Sequence, residues 1–583
     1  MSAKGVKTQI LGEQLEDQCT TKQQVLATSI TSQASNVKLP DWRVLQMCNT
    51  NDITVTPVDT RYDLLQPPSS IRKVNITSQD SPYILKERLG EGGYGRVYLA
   101  IDKATGEQVA IKEHRVYQEG LEEELDRTWI EKSNIDYNEI DLLYRWNHPH
   151  VMHAKDILLD HEDRILMVLP YALELSSFLE SNTVPLDVRV RWIEELVDGM
   201  AFIQSQGHFH CDIKPENCFL LPIEKSCTNT TDPHHLKLVV GDLGLSYPYE
   251  YRKTDTCGTS HFNPLEMDTY IWNDLADPTD QLIQALDTIT YKPQISKVDM
   301  YLVGNTALYI LSDNNIFGSY SYMKSNPSAT TNRILRYIQG EDDVLNLHGG
   351  FFQLDEFVKE YPKVASTVRS MLALDPSKRP DTFIDVLVSM DGKITPGSCC
   401  EVLPTQSLSD ASESDLRVLS KCAKKIIMSL QDIGNYNKTV IQYELLFNVI
   451  TLLYRAMPMR LLDQSKTEEI LQAVLCLAFR LGWIDNVEHL LQLTTLLEVD
   501  DMDRIYDVAN QITVYLKGTL RFPFLYQVGG TDAHFKDIVK SSVTNPSYFI
   551  KLMLQPYHSY TIAKNDIPLD KVSRLHDKII FQK

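Results

Sequence analysis

The apolar pattern of this chain changes period within one stretch, and that change constrains the fold more than any other feature. Tyr83 to Leu89, Val97 to Ile101 and Gln108 to His114 alternate or run β-branched, with turn residues between them. Helical spacing takes over from Asp187 to Gln206 and again from Val298 to Leu311. Strands first and helices afterwards predict an α+β domain reaching from Tyr83 to about Met390.

The chain has 583 residues, more than one hydrophobic core sustains, so two or three domains are expected. Residues 1–80 are polar, rich in Ser, Thr, Gln and Asp, and are punctuated near their end by Pro67-Pro68-Ser69-Ser70. They read as largely irregular, with one short helix expected near Gly12 to Thr28. A second break falls at Asp391-Gly392-Lys393 and the Pro/Ser-rich stretch that follows. Beyond it, apolar residues such as Tyr443, Leu446, Val449, Leu452 and Leu453 recur at helical spacing. The expected division is an extension over 1–80, a mixed domain over 81–390, a linker over 391–411 and an all-α domain over 412–583.

Composition narrows the function classes. A net charge of −21 argues against a general binder of nucleic acid or anionic membrane, because both need a basic footprint. Ten cysteines without a CxxC pair suggest neither a disulfide framework nor a zinc site. The N-terminus lacks an apolar signal core, and no run of about 18 apolar residues predicts a membrane span. The expectation is an intracellular, reduced, soluble protein, with cytoplasm and nucleus not distinguished. The sequons at Asn75, Asn229 and Asn437 then carry no meaning.

One loop carries the chemistry. His210-Cys211-Asp212-Ile213-Lys214-Pro215-Glu216-Asn217 sets a carboxylate, a cation and an amide close together. Phosphoryl transfer needs that set: an acid to orient the attacking hydroxyl, a Lys to meet developing phosphate charge, and an Asn to hold Mg²⁺. Upstream, Gly90-Glu91-Gly92-Gly93-Tyr94-Gly95-Arg96-Val97 lies between two predicted strands, where glycines let backbone approach phosphates. Downstream, Gly241-Asp242-Leu243-Gly244 follows the apolar strand Leu236 to Val240.

These segments, in this order, resemble the eukaryotic-type protein kinases over roughly residues 81–390. The resemblance implies a bilobal fold with a β-rich N-lobe and an α-rich C-lobe, and ATP and Mg²⁺ as cofactors. Val109-Ala110-Ile111-Lys112 is similar to the strand bearing the phosphate-binding Lys, and Glu139 would pair with Lys112. Leu166 to Ala172 looks like the hinge that meets adenine, with Leu169 guarding the inner pocket. The implied ATP contacts are Gly90, Gly92, Gly95, Val97, Ala110, Lys112, Glu139, Pro170 and Ala172. Asp212 and Lys214 would be catalytic, and Asn217 and Asp242 would hold the metal. His148, His150 and His153 can be read as metal ligands, but His-Pro-His-Val is the junction this family places after its third helix.

The late motifs follow in order. Gly258 to Glu266 resembles the end of the activation segment, reading Pro-Leu-Glu where the family has Ala-Pro-Glu. Glu266 is expected to pair with Arg379 of Asp375-Pro376-Ser377-Lys378-Arg379-Pro380, and Asp299 to support the catalytic-loop backbone. Lys214 with Thr259 matches the serine/threonine-directed form. Three departures stand out: a longer stretch between Lys112 and Glu139, an insertion between Glu266 and Asp299, and Cys211 where the family usually has Arg. That Arg pairs with a phosphorylated activation loop, so its absence predicts that activation-loop phosphorylation is dispensable.

The C-terminal region resembles a cyclin box more weakly. Glu444 to Ile450 and Ile470 to Arg480 are similar to its middle helices, and Leu516 to Pro523 to the exit of its fifth. Arg480 stands where that pattern has Lys and Ala509 where it has Glu. The resemblance implies a cis or trans regulatory contact with the kinase region.

The expected function is transfer of the γ-phosphoryl of Mg-ATP to Ser/Thr hydroxyls of protein substrates, under a helical regulatory domain. The competing reading is an ATP-binding scaffold with negligible catalysis.

Overall fold

The structure, a computed structural model, describes residues 73–92, 95–114, 137–224, 231–248, 258–267, 275–276, 279–291, 293–340, 343–347 and 354–399. In the C-terminal region it describes 414–415, 417–419, 421–423, 439–459, 467–481, 502–518 and 520. The chain falls into two compact units, and the described parts of each are taken separately.

One unit contains Thr54–Leu173, Phe219–Tyr247 and Gly397–Lys583. Its centre is a sheet of β1 (Tyr83–Gly92), β2 (Gly95–Asp102), β3 (Gln108–Glu113), β5 (Asp156–Leu159) and β6 (Ile165–Pro170), ordered β1-β2-β3-β6-β5. All four pairings are antiparallel. A helix, α1 (Tyr137–Arg145), and a short strand, β4 (Trp146–Asn147), lie between β3 and β5 in sequence. Strands β8 (Cys218–Pro222) and β9 (Leu236–Val240) pair with each other.

The register sorts the sheet's side chains onto two faces. Val97 lies opposite Lys112, and Lys112 opposite Met167; Leu99, Ala110 and Leu169 form the next such row. Alternation along each strand puts these six residues on one face. The other face carries Ala100, Val109, Ile111, Leu166 and Val168, which form a core cluster with Tyr83. Each buried Val, Ile or Leu side chain there contributes roughly 1.5–3 kcal/mol relative to exposure. A solvated Lys112 at the β3 end would be unremarkable, but on the face opposite the core it meets α1 instead.

Three helices of the C-terminal region belong to this same unit: α11 (Thr439–Ala456), α12 (Thr467–Arg480) and α13 (Met502–Tyr515). Helix α12 packs against both α11 and α13, and reaches α1, while α13 packs against β5. Val449, Leu452 and Leu453 of the apolar periodic set are buried; the side chains of Tyr443 and Leu446 lie outside the description.

The other unit is built on Glu174–Cys218 and Pro248–Pro396. Its helices are α2 (Leu175–Ser181), α3 (Leu186–Ser205), α4 (Asp280–Asp287), α5 (Ile295–Ser312), α6 (Tyr320–Ser325), α7 (Pro327–Gln339), α8 (Leu354–Glu360), α9 (Pro362–Met371) and α10 (Phe383–Ser389), with β7 (His208–Phe209) after α3. Helix α5 is buried over nearly its whole length and packs on α3 and α9. Gly304 permits the α9 contact: a Cβ there would stand 2.8 Å from the Cβ of Met371.

Element types agree with the periodicity, and the boundaries move by a few residues. The largest shift is at the glycine turn. The ladder runs to the pair Gly92 and Gly95, so both lie in strands, and residues 93–94 are outside the description. The expected short helix near Gly12 to Thr28, the rest of the extension up to residue 72 and most of the linker lie outside the described residues.

Candidate active site

In the sheet-bearing unit the site begins with Lys112. Its Nζ lies 2.8 Å from Oε1 and 2.6 Å from Oε2 of Glu139, the pairing expected from the sequence. Both side chains are largely shielded from water. Burial raises the pKa of Glu139; Lys112 opposes the rise and Asp242 adds to it. Asp242 therefore acts in the same field as the ion pair.

Asp242 sits between β9 and a single 3₁₀ turn, Leu243–Leu245, in the left-handed region at φ 53, ψ 68. A non-glycine residue there stores local strain, which persists only where the surroundings hold it. Two neighbours do so. Gly241 brings the backbone against Phe219, whose Cε2 would lie 2.7 Å from an added Cβ. Leu243 is fully buried, filling the place that Phe takes in the family pattern. Asn138 of α1 donates from Nδ2 to the carbonyl of Ser246, so the helix that carries Glu139 is also tied to the Asp242 segment.

One direct observation bears on the residues expected to cradle phosphates. At Gly90, among the described residues and apart from its two chain neighbours, no atom lies within 4 Å of where a Cβ would stand. Val97 and Ala110 share the face of Lys112. Pro170 ends β6 opposite Val109, and Ala172 follows in irregular backbone, both half-buried.

In the helical unit the site is the loop after β7. Asp299, on α5 and almost fully buried, accepts from the backbone N–H of His210 and of Cys211, both at 2.8 Å. Burial raises the pKa of Asp299, against the effect of these bonds and of His210. Cys211, also fully buried, has φ 70, and the two successive N–H groups turn onto one carboxylate through it.

Asp212 is the hub of this half. Its Oδ1 accepts from the Thr259 hydroxyl at 2.8 Å, and its Oδ2 lies 3.0 Å from Lys214 Nζ. Lys214 Nζ donates onward to Thr259 Oγ1 at 2.7 Å. Asn217 Nδ2 donates to the Asp212 carbonyl at 2.8 Å and to Oδ2 at 3.0 Å, which turns the amide oxygen to the other side. Gly258, at φ +76, lets the Thr259 segment approach: a Cβ there would stand 2.6 Å from the Cys211 carbonyl oxygen. His261 lies close enough to feel both Lys214 and Asp212, and burial lowers its pKa, with Lys214 adding to the effect.

The expected Glu266–Arg379 pair forms, bidentate at 2.5 and 3.1 Å, with both side chains wholly shielded. Arg379 also donates to the carbonyls of Lys297, Ala373 and Leu374 and lies over the Tyr301 ring.

The metal reading of the histidines finds no support. His150 Nδ1 meets the Leu238 carbonyl at 3.0 Å and His153 Nδ1 the Trp146 carbonyl at 2.8 Å, both structural bonds. Among the described residues no group of three or more His, Cys, Asp and Glu is placed to hold a metal. A Mg²⁺ site takes one or two carboxylates with substrate phosphates and water, so it requires no such cluster. The structure therefore gathers Lys112, Glu139 and Asp242 in one unit and Asp212, Lys214 and Asn217 in the other.

Sequence reasoning missed Gly258, Asn138 and Tyr137. Gly258 belonged to a recognised segment, and its position before Thr259 was the available signal. Tyr137 and Asn138 gave none, because their partners are Asn510 and Ser246.

Comparison with known proteins accords with this arrangement. Residues 83–388 match the protein kinase domain family. The chain is 26% identical over 309 residues to serine/threonine-protein kinase STK11 of Gallus gallus, covering 51% of this chain and 57% of that protein. It is 35% identical over 158 residues to CBL-interacting protein kinase 30 of Oryza sativa subsp. japonica, covering 25% and 31%. It is 30% identical over 170 residues to cyclin-dependent kinase B2-1 of Arabidopsis thaliana, covering 27% and 48%. The chain spans about half the length of the first curated relatives it matches. Among the described residues no helix is long and apolar enough to cross a membrane.

Proposed function

Because this chain belongs to the protein kinase family, we propose that it transfers the γ-phosphoryl of ATP to Ser and Thr hydroxyls of protein substrates. The observation that carries the reading is the closed set Asp212, Lys214 and Thr259, joined at 2.7–3.0 Å. A carboxylate held this way orients a hydroxyl and takes its proton late, and the adjacent ammonium offsets charge on the moving phosphoryl group. Lys112, held by Glu139, supplies the second cation. Mg²⁺ bound through Asn217 and Asp242 would neutralise phosphate charge. The protein's part is then positioning and electrostatic stabilisation.

The serine/threonine preference rests on the Lys214–Thr259 bond and accords with the printed name of the relative STK11. The cyclin-like reading of 412–583 belongs to the same proposal. Its support is the packing of α12 on α1 and of α13 on β5, while Arg480 and Ala509 depart from the pattern at the two positions where it meets a kinase partner. Arg480 lies near the Tyr137 hydroxyl, and Ala509 is buried beside Asn510 on α13.

The test is transfer of label from γ-labelled ATP to a generic Ser/Thr protein substrate, comparing the full chain with Asp212→Asn. Label on Ser and Thr from the unaltered chain and loss of several orders of magnitude in the variant are expected. Equal, background-level incorporation in both would leave an ATP-binding scaffold.

A further inference from the structure

The helix that carries Glu139 is gripped from behind by the C-terminal region. Helix α1 has 9 residues, too few to hold its own shape in water. All of them except Tyr144 are buried. At about 100° per residue, Tyr137, Ile140, Asp141 and Tyr144 share one face and Glu139 points about 200° away from Tyr137. Glu139 engages Lys112 on its side. The opposite face meets Asn510, Gly518 and Leu520.

Three contacts make that grip. The Tyr137 hydroxyl donates to Asn510 Oδ1 at 2.6 Å, and Asn510 Nδ2 donates to the Asp163 carbonyl at 2.8 Å. The Asp163 carbonyl can only accept, which sets the Asn510 amide with its oxygen toward Tyr137. Asp141 Oδ1 accepts from the Leu520 backbone N–H at 2.9 Å. Gly518, at φ +70, fits between α1 and β5: an added Cβ would stand 2.5 Å from Ile157 Cδ1 and 3.4 Å from both Ile140 Cγ2 and Tyr144 Cβ. Asn510 is fully buried and Tyr137 nearly so. Burial holds the Tyr137 phenol well above its ordinary pKa, so it remains a donor.

Asp163 is itself a junction in the β5–β6 turn. Its carboxylate takes Lys73 at 2.6 Å and Gln511 Nε2 at 3.1 Å. Asn510 therefore spans two elements with one amide: the first residue of α1 and the turn that joins the strands next to it. A rigid bridge of this kind sets how α1 is rotated and displaced against the sheet. That setting decides whether the Glu139 carboxylate reaches Lys112.

We propose that Asn510 is a positioning residue for phosphoryl transfer, holding α1 through Tyr137 so that Glu139 meets Lys112, with Asp141 and Leu520 as the second point of attachment. The inference rests on the kinase reading above and assigns the C-terminal region an activating role in cis.

The test uses the full chain and five variants: Asn510→Ala, Tyr137→Phe, Glu139→Gln, and each of the first two combined with Glu139→Gln. Tyr137→Phe keeps the ring and its packing, so it remains informative if Asn510→Ala folds poorly. Each single variant of the grip is expected to lower kcat roughly tenfold, the equivalent of one buried hydrogen bond. The exchange of amide hydrogens over 137–145 is expected to quicken in both. In the Glu139→Gln background neither is expected to lower kcat further, because groups acting through one partner are not additive. Losses that multiply in the double variants, or wild-type kcat and exchange in Tyr137→Phe, would overturn the proposal. An unaltered chain no more active than Asp212→Asn would overturn the kinase reading instead, and this positioning role with it.

Discussion

The Thr259 hydroxyl stands between a donor and an acceptor, receiving a hydrogen bond from Lys214 at 2.7 Å and giving one to Asp212 at 2.8 Å. One hydroxyl thereby fixes both side chains. Thr259→Ala removes the bridge and is expected to lower kcat about 10- to 100-fold with little change in KM for ATP. Thr259→Ser keeps the hydroxyl and is expected to restore most of the rate. Steady-state kinetics of the two variants decide the matter, and equal rates for Ala and Ser would remove the bridge from the mechanism.

Cys211 occupies the place of the family's phosphate-reading Arg and is fully buried in left-handed backbone. It offers a phosphorylated loop no cation. Phosphatase treatment is expected to leave activity within about twofold, as are Thr254→Ala and Thr256→Ala, both at positions outside the described residues. A large loss on dephosphorylation, recovered on rephosphorylation at Thr254, Thr256 or Thr259, is the contrary result.

Glu266 and Arg379 are a bidentate pair with no exposure on either side chain. Glu266→Gln leaves a buried guanidinium without its counter-charge and is expected to destabilise the fold by about 3–5 kcal/mol. Denaturant unfolding of the variant measures this. A shift below about 1 kcal/mol would mean that the carbonyls of Lys297, Ala373 and Leu374 satisfy Arg379 on their own.

The raised pKa of Glu139 separates activity from stability. The Lys112 ion pair needs the carboxylate ionised, so kcat/KM is expected to fall on acidification at a pH above the ordinary glutamate value. Stability moves the other way. The folded state holds this proton at pH values where the unfolded chain has released it, so this group favours folding more as pH falls through the folded pKa. Comparing the pH dependence of unfolding with that of Glu139→Gln isolates the contribution. A difference that grows with acid in the opposite sense would contradict the assignment.

Much of the candidate site was legible in local sequence, for a physical reason. The glycine turn, Val109 to Lys112, and His210 to Asn217 each place their groups on one strand pair or one short loop, where residue order and geometry nearly coincide. The pairs Lys112–Glu139 and Glu266–Arg379 are distant in sequence, and they were read from family order rather than from spacing. The Cys211 thiol was visible as a departure; its left-handed backbone and its place under Gly258 were not. The histidines showed the opposite error to avoid, since spacing alone suggested ligands and the fold supplied backbone carbonyls as partners.

By itself the sequence determined the element types of the strands and helices it predicted, because period-2 and helical apolar spacing are local properties, and it singled out the side chains proposed for phosphoryl transfer. Only the tertiary structure decided what holds α1 in place. Tyr137 and Asn510, or Asp141 and Leu520, are joined by no periodicity and no motif. Their contact exists because the C-terminal helices and the sheet fold as one unit, and a hydrogen bond across so long a stretch of chain is written in the packing of the unit rather than in any segment of it.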